Sequence, residues 1–198
     1  MKTLTRRIAL LAALLIVGLP STAAANGAQG FVQAKQGELA ELLKKGKSAA
    51  VEQKVQTVFD TMLDYETLAR RSLHKHWEEL TEAQRKEFQQ VLKQLVQNAY
   101  RKNLDKTLAY EVKFQGEAPA DGGTLVRTVA KHRDNAREQP VSIDYVLHKV
   151  DGQWRVFDIV TEGSSLVRNY RSQFHRVIDK KGFEELLRRM KNKLAKES

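Results

Sequence analysis

The sequence predicts a single α+β domain in which four consecutive antiparallel strands are accompanied by amphipathic helices. Two changes in hydrophobic period indicate this arrangement. Apolar residues recur every three or four positions up to residue 100, which is typical of helices with one buried face. From residue 110 to residue 160 apolar residues alternate with polar ones, as in strands with one solvent-exposed face. The helical spacing returns after residue 163. Helices and strands in separate runs favour an α+β fold.

The first 25 residues predict a cleavable secretory signal. A basic start is followed by an uncharged apolar run at 8–17, and Ala23-Ala24-Ala25 fits a small-residue cleavage site. The apolar run is shorter than the roughly 20 residues that a transmembrane helix needs, although an uncleaved anchor is the alternative. Residues 26–198 are therefore expected to form one domain outside the cytoplasm.

Charge and cysteine content narrow the possible partners. The chain has no cysteine, which excludes disulfides, Cys-based metal sites and thiol nucleophiles. Its net charge is +10, and removal of the signal, which carries three basic residues and no acid, lowers this to +7. A basic excess favours anionic partners. Because export separates the chain from nucleic acid, anionic lipid headgroups or an acidic protein face are expected instead.

Four helices are predicted before the strands. The first covers residues 31–46, and Ser48 and Asp64 are the predicted N-caps of the second and third. The fourth begins at Thr81, which forms a capping box with Gln84. Its apolar stripe continues without a break through Phe88, Val91, Leu92, Leu95, Val96 and Ala99.

The predicted strands cover residues 110–115, 124–130, 141–147 and 154–160. Asp151-Gly152 predicts a type I′ hairpin between the last two strands. Gly163-Ser164-Ser165 is expected to open a further helix, in which either serine can act as the cap. A final helix with a basic outer face follows Gly182.

No catalytic motif is found in the chain. It lacks the nucleophile elbow, the phosphate loop and the dinucleotide fingerprint. Ser164 and Ser165 lie near His175 in sequence, but capping a helix is the ordinary role of such serines. Asp144 and Asp158 lie on adjacent strands and could approach each other, although outward-facing strand aspartates are commoner than acid–base pairs.

No metal site is predicted either. His74 and His76 are two residues apart, a spacing that diverges on a helix, and the other histidines are isolated in sequence. Basic residues accumulate in the last thirty positions, where a solvated helix face is the ordinary interpretation and an electrostatic guide toward an anionic membrane or acidic partner is the alternative.

Two segments resemble the MlaC family of periplasmic phospholipid carriers, also known as toluene-tolerance proteins. They are GQWRVFDIVTEGSSLVRNYRSQF at 152–174 and FDTMLDYETLARRSLHKHWEELTEAQRKEFQQVLKQLVQNAY at 59–100. Together with the connecting strands, the resemblance covers nearly all of the mature chain. It implies a curved four-stranded antiparallel sheet, backed and wrapped by helices as in NTF2-like folds, that encloses an apolar lipid cavity. The chain departs from the family pattern at His74, where relatives tend to have a glycine that tolerates the αL conformation.

The resemblance also implies a function and a binding wall. It implies a carrier without catalytic activity or cofactor, with glycerophospholipid as cargo, which maintains outer-membrane lipid asymmetry from the periplasm. Its expected partners are an inner-membrane ABC transporter complex of the Mla type and an outer-membrane MlaA-type lipoprotein with a porin, and a monomer is expected. Carried over by position, the wall of the cavity comprises Val112, Phe114, Val129, Ile143, Tyr145, Val156, Phe157, Leu166, Tyr170 and Phe174.

Two alternatives to a lipid carrier stay open at this point. One is a small NTF2-like pocket enzyme of the isomerase or dehydratase type, which would need a polar dyad drawn from Tyr110, Tyr145 or Asp158. The other is a periplasmic adaptor protein with a fully packed interior. The sequence does not separate these alternatives, because an apolar stripe looks the same whether it lines a solid core or a cavity.

Overall fold

The helices of the protein lie mainly on either side of the strand region in sequence, as predicted. A computed structural model describes residues 27–46 and 48–197, so the predicted signal at 1–25 lies outside the described residues. The helices are α1 (Ala28–Lys44), α2 (Ala49–Met62), α3 (Tyr65–Leu73), α4 (Glu82–Thr107), α5 (Leu166–Lys181) and α6 (Phe183–Glu197), and a 3₁₀ turn covers His74–His76.

The predicted helix caps are confirmed. The Ser48 side chain accepts a hydrogen bond from the main-chain N–H of Val51, and the Asp64 carboxylate accepts one from the N–H of Thr67. Thr81 and Gln84 form the reciprocal capping box, in which each side-chain oxygen accepts from the other residue's main-chain N–H at 3.2 and 3.0 Å. These side chains accept from main-chain N–H groups that have no partner within the first turn, and so they fix the residues at which the helices begin.

The sheet is antiparallel throughout and has five strands in the order β1-β2-β3-β4-β5. The strands are β1 (Tyr110–Ala120), β2 (Gly123–His132), β3 (Val141–Val150), β4 (Gln153–Thr161) and β5 (Ser164–Ser165). The fifth strand corrects the predicted count of four. Glu162 and Gly163 both have positive φ and turn the chain back, so that Ser165 pairs with Val160 before α5 begins.

The hairpin between β3 and β4 has the predicted geometry. Asp151 and Gly152 have φ values of 50° and 76°, the positive pair that a type I′ turn requires. The end of α3 differs from the prediction in detail. His74 has φ 48° and ψ −115°, so its φ is positive as expected, but its ψ lies outside the αL region.

The helices pack around the β4 edge and over one face of the sheet. Helix α1 contacts β1 and β2, whereas α2, α3 and α5 contact β4, and α4 is held between α3 and α6. Leu63, between α2 and α3, forms an isolated parallel bridge with Val156 of β4. The main-chain N–H of Asp64 donates to the carbonyl of Val156 at 2.8 Å, so this linker extends the sheet locally. None of the helices in 27–46 or 48–197 combines the length and the apolar character needed to cross a membrane.

Candidate functional site

One face of the sheet is apolar and is covered by helices. Residues opposite each other in an antiparallel ladder share a face, and Tyr145 of β3 lies between Val126 of β2 and Ile159 of β4. Val126 is fully buried, and Tyr145 and Ile159 are half-buried against the hydrophobic core. We call this side of the sheet the inner face. Phe114 of β1 extends it, opposite the buried Thr128.

A small apolar cavity lies between the inner face and the helices. Its volume is about 10 Å³. It is lined by Leu63, Leu68, Val96, Tyr100, Val156, Phe157, Asp158, Ile159 and Leu166. These residues come from the linker between α2 and α3, from α3, α4 and β4, and from the start of α5, so the cavity lies between the sheet and the helices.

The cavity is smaller than the open cleft that the resemblance implies. About 10–15 Å³ is the space of a single water molecule, whereas ligand sites usually measure about 300–1,000 Å³. The opposing walls are therefore in contact with each other. Contact is the expected state when nothing fills the space, because an apolar gap loses dispersion contacts and cannot hydrogen-bond to water.

Three of the predicted wall residues line this cavity, namely Val156, Phe157 and Leu166. Two others, Phe114 and Tyr145, lie on the inner face and pack against the core at its border. Val112 and Ile143 are half-buried and share the inner face, because each lies two residues from one of these along its own strand.

Three of the predicted wall residues do not line this cavity. Val129 lies on the outer face, opposite the exposed Lys113, while both of its neighbours on β2 are buried. Phe174 belongs to a helix–helix core, where its ring packs edge-on against Phe88 with centroids 5.5 Å apart. Tyr170 stacks on Phe174 at 5.2 Å, since both lie one turn apart on the same side of α5.

Sequence reasoning missed several lining residues for identifiable reasons. Val96 and Tyr100 continue the apolar stripe of α4, which is indistinguishable from a core stripe in sequence. Ile159 was missed because of a β-bulge in β4. Val156 pairs with Leu147 and Ile159 with Tyr145, so the four residues 156–159 of β4 lie opposite the three residues 145–147 of β3, and both ends face inward.

Two half-buried tyrosines next to the cavity are held neutral. Burial raises the pKa of Tyr100 well above its ordinary value, and the nearby hydroxyls of Tyr145 and Tyr65 oppose its ionisation further. Burial also raises the pKa of Tyr145, although the Gln36 amide, which donates to its hydroxyl at 3.0 Å, acts in the opposite direction. The cavity wall therefore carries no phenolate charge at neutral pH.

The candidate polar groups of a pocket enzyme are engaged with separate partners. Asp158 accepts hydrogen bonds from the Ser165 hydroxyl at 2.6 Å and from the Val167 N–H at 3.0 Å, at the start of α5. Tyr110 pairs with Glu138 in a half-buried position away from the cavity. Asp144 accepts from the main-chain N–H of Thr128. Each of these groups is therefore occupied by a partner of its own.

Two histidines that are far apart in sequence meet in the structure. The rings of His76 and His175 pack edge to face with centroids 4.8 Å apart. The two ring nitrogens of His76 lie 3.0 Å from a Glu79 oxygen and 3.3 Å from an Asp179 oxygen. Even so, no group of three or more His, Asp or Glu side chains within the described part of the chain is arranged to hold a metal ion.

Comparison with known proteins identifies the family. The solved structure of the phospholipid-binding protein from Ralstonia solanacearum, determined in complex with a phospholipid, superposes with a TM-score of 0.73. The match covers 86% of this chain and 98% of that chain, at 24% sequence identity, and shows that the two share a fold. No curated protein sequence matches the chain. The sequence profile described as MlaC protein matches residues 33–192, and the chain therefore belongs to the MlaC family.

Proposed function

We propose that the protein is a periplasmic phospholipid carrier that holds acyl chains between the inner face of its sheet and its helices. The observation that carries the proposal is the apolar cavity at that position, lined from both sides by side chains such as Val96 and Ile159. Membership of the MlaC family and the shared fold with a structure that contains phospholipid support it. In this function the protein catalyses no reaction, and the phospholipid is released chemically unchanged.

The closed cavity must open to receive its cargo. The walls of the cavity are held together by apolar contacts. They can separate when acyl chains enter, because the wall residues then exchange apolar contacts with each other for apolar contacts with the lipid and are not exposed to water. Helix α1 is joined to the sheet by a hydrogen bond from Gln36 to Tyr145 and by one from the Gln29 N–H to Glu117. Each is worth only about 1 kcal/mol net, so these polar contacts oppose a widening of the space beside Tyr145 only weakly.

Energetics explain why such a carrier would need partners at both membranes. Two acyl chains contain about 30 methylene groups, and exposing them at ~0.8 kcal/mol each costs on the order of 20–25 kcal/mol. Release into water is therefore negligible, whereas transfer between a bilayer and a dry cavity is close to neutral. We propose direct handover to an inner-membrane ABC transporter complex of the Mla type and to an outer-membrane MlaA-type lipoprotein with a porin. This exchange would maintain the lipid asymmetry of the outer membrane.

The same energetics predict the selectivity of the carrier. The buried methylene groups supply most of the binding free energy, and the headgroup stays near solvent. Affinity should therefore depend on chain volume more than on headgroup identity.

Native mass spectrometry with lipid extraction tests this proposal. We expect a 1:1 complex with phospholipid, and an Ile159→Trp variant, which fills the cavity, should retain little of it. Val129→Trp is the matched control, because Val129 is also half-buried in the sheet but lies on the outer face. Equal lipid in the two variants would contradict the placement of the site.

A periplasmic adaptor with a packed interior is the alternative function that the size of the cavity favours. A cavity of about 10 Å³ also suits an adaptor with a packed interior. Lipid-free protein incubated with phospholipid vesicles separates the two functions, because an adaptor would stay lipid-free whereas a carrier would acquire lipid.

A further inference from the structure

A second, larger hollow opens at the surface between α2 and the C-terminal half of α4. Its volume is about 290 Å³. It is lined by Ala49, Glu52, Gln53, Val55, Gln56, Phe59, Gln97, Tyr100 and Arg101. We call this hollow the α2–α4 groove.

The groove has an apolar floor and a polar rim. Val55 and Phe59 are buried at its base, whereas Glu52, Gln53 and Arg101 are exposed at its edge. A rim with a guanidinium, a carboxylate and side-chain amides above an apolar floor suits a molecule with a charged end and an oily end.

Tyr100 separates this groove from the inner cavity. Its side chain belongs to the lining of both spaces. On the groove side its ring packs against that of Phe59, with centroids 4.1 Å apart. Because the half-buried ring of Tyr100 is the shared wall, its rotation away from Phe59 would join the polar-rimmed groove to the apolar cavity.

We propose that the α2–α4 groove is the mouth of the lipid site and that the Tyr100–Phe59 pair is its gate. This inference rests on the proposed function. The occupant is a glycerophospholipid whose phosphate lies beside Arg101 and whose acyl chains pass Tyr100 into the space under the sheet. The position of the groove explains how a cavity enclosed by helices and strands can exchange a molecule with an amphiphilic outer end.

Because the chain has no cysteine, a single introduced thiol can test the mouth. Gln53→Cys places the thiol at the groove, and Lys54→Cys places it on the far side of the same helix, where Lys54 is also exposed. Each lipid-free variant is labelled with a bulky maleimide and incubated with vesicles of phosphatidylethanolamine and phosphatidylglycerol. We expect labelled Gln53→Cys to lose lipid uptake and labelled Lys54→Cys to keep the rate of the unlabelled protein.

Protection of the thiol provides an independent readout. Lipid bound before labelling should slow the reaction of Gln53→Cys with maleimide and leave that of Lys54→Cys unchanged. Equal uptake by both labelled variants, or equal labelling with and without lipid, would overturn the assignment of the mouth while leaving the carrier function intact. Absence of uptake by the unlabelled protein would overturn the proposed function itself.

A charge reversal tests the position of the phosphate. Arg101→Glu should slow uptake about tenfold, since rim charges act mainly on association. Arg127→Glu is the control, because Arg127 is exposed on the sheet and the variant has the same net charge. Equal slowing by the two variants would indicate long-range attraction to the vesicle and would contradict a phosphate site at Arg101.

Discussion

Replacing Ser165 with alanine removes two hydrogen bonds at the start of α5 in one step. The Ser165 hydroxyl accepts from the main-chain N–H of Arg168 at 3.0 Å, which makes it the N-cap of the helix. It also donates to the buried carboxylate of Asp158 at 2.6 Å. Asp158 would keep only its bond from the N–H of Val167, so the substitution would leave a buried charge with an unsatisfied oxygen.

The two losses add to a measurable destabilisation. Loss of an N-cap costs about 1 kcal/mol, and a buried acceptor left without a donor costs about 1–3 kcal/mol. We therefore expect Ser165→Ala to lower the free energy of unfolding by about 3 kcal/mol in urea titrations followed by circular dichroism. In a double-mutant cycle of Ser165→Ala with Asp158→Asn, we expect an interaction free energy of about 1 kcal/mol or more, because the two side chains are in direct contact.

Ser164 supplies the matched control. It is exposed, and its hydroxyl accepts only from the Asn169 amide at 2.9 Å among the contacts seen in the described chain. Ser164→Ala should therefore change the unfolding free energy by less than about 0.5 kcal/mol. Equal destabilisation by the two substitutions would refute the assignment of Ser165 as the cap and the anchor of Asp158.

Three further predictions concern stability and use the same unfolding assay. His74→Gly should stabilise by about 1 kcal/mol, because relief of strain at φ 48° exceeds the entropy that glycine adds to the unfolded chain, and no gain would contradict strain there. Gly123→Ala should destabilise by roughly 3 kcal/mol, because its Cβ would lie 2.0 Å from a carbonyl oxygen of β3, whereas Gly37→Ala in open space on α1 should stabilise by about 0.5–1 kcal/mol. Burial alone would raise the pKa of Asp64, but hydrogen bonds from the Thr67 amide and His148 outweigh it and hold that pKa below its ordinary value. The stability that ionised Asp64 contributes is thus present above about pH 4 and is lost as pH falls further, so the advantage of the wild type over Asp64→Asn should shrink in acid, and a constant difference would contradict this.

Local chemistry explains what the sequence predicts well. The caps at Ser48 and Asp64 and the hairpin at Asp151-Gly152 each depend on residues a few positions apart. Such contacts form with little help from the rest of the fold, so residue type and spacing identify them. The strand and helix order follows from hydrophobic periodicity for the same reason.

Non-local geometry explains what the sequence does not predict. The bulge in β4 changes which face Ile159 occupies, and alternation alone cannot indicate a bulge. Phe174 carries the periodicity of a buried residue whether it faces the sheet or Phe88 on another helix. The size of the cavity is also invisible in sequence, since it depends on how closely two apolar surfaces approach each other.

Photocrosslinking with a phospholipid that carries a diazirine at the end of one acyl chain tests the central claim most directly. The protein takes up the lipid from vesicles, is irradiated, and is digested for mass spectrometry. Adducts are predicted on residues that line the space between sheet and helices, including Val96 of α4 and Ile159 of β4. Adducts confined to the outer face around Val129, or to the exposed basic residues of α6, would contradict a lipid held under the sheet.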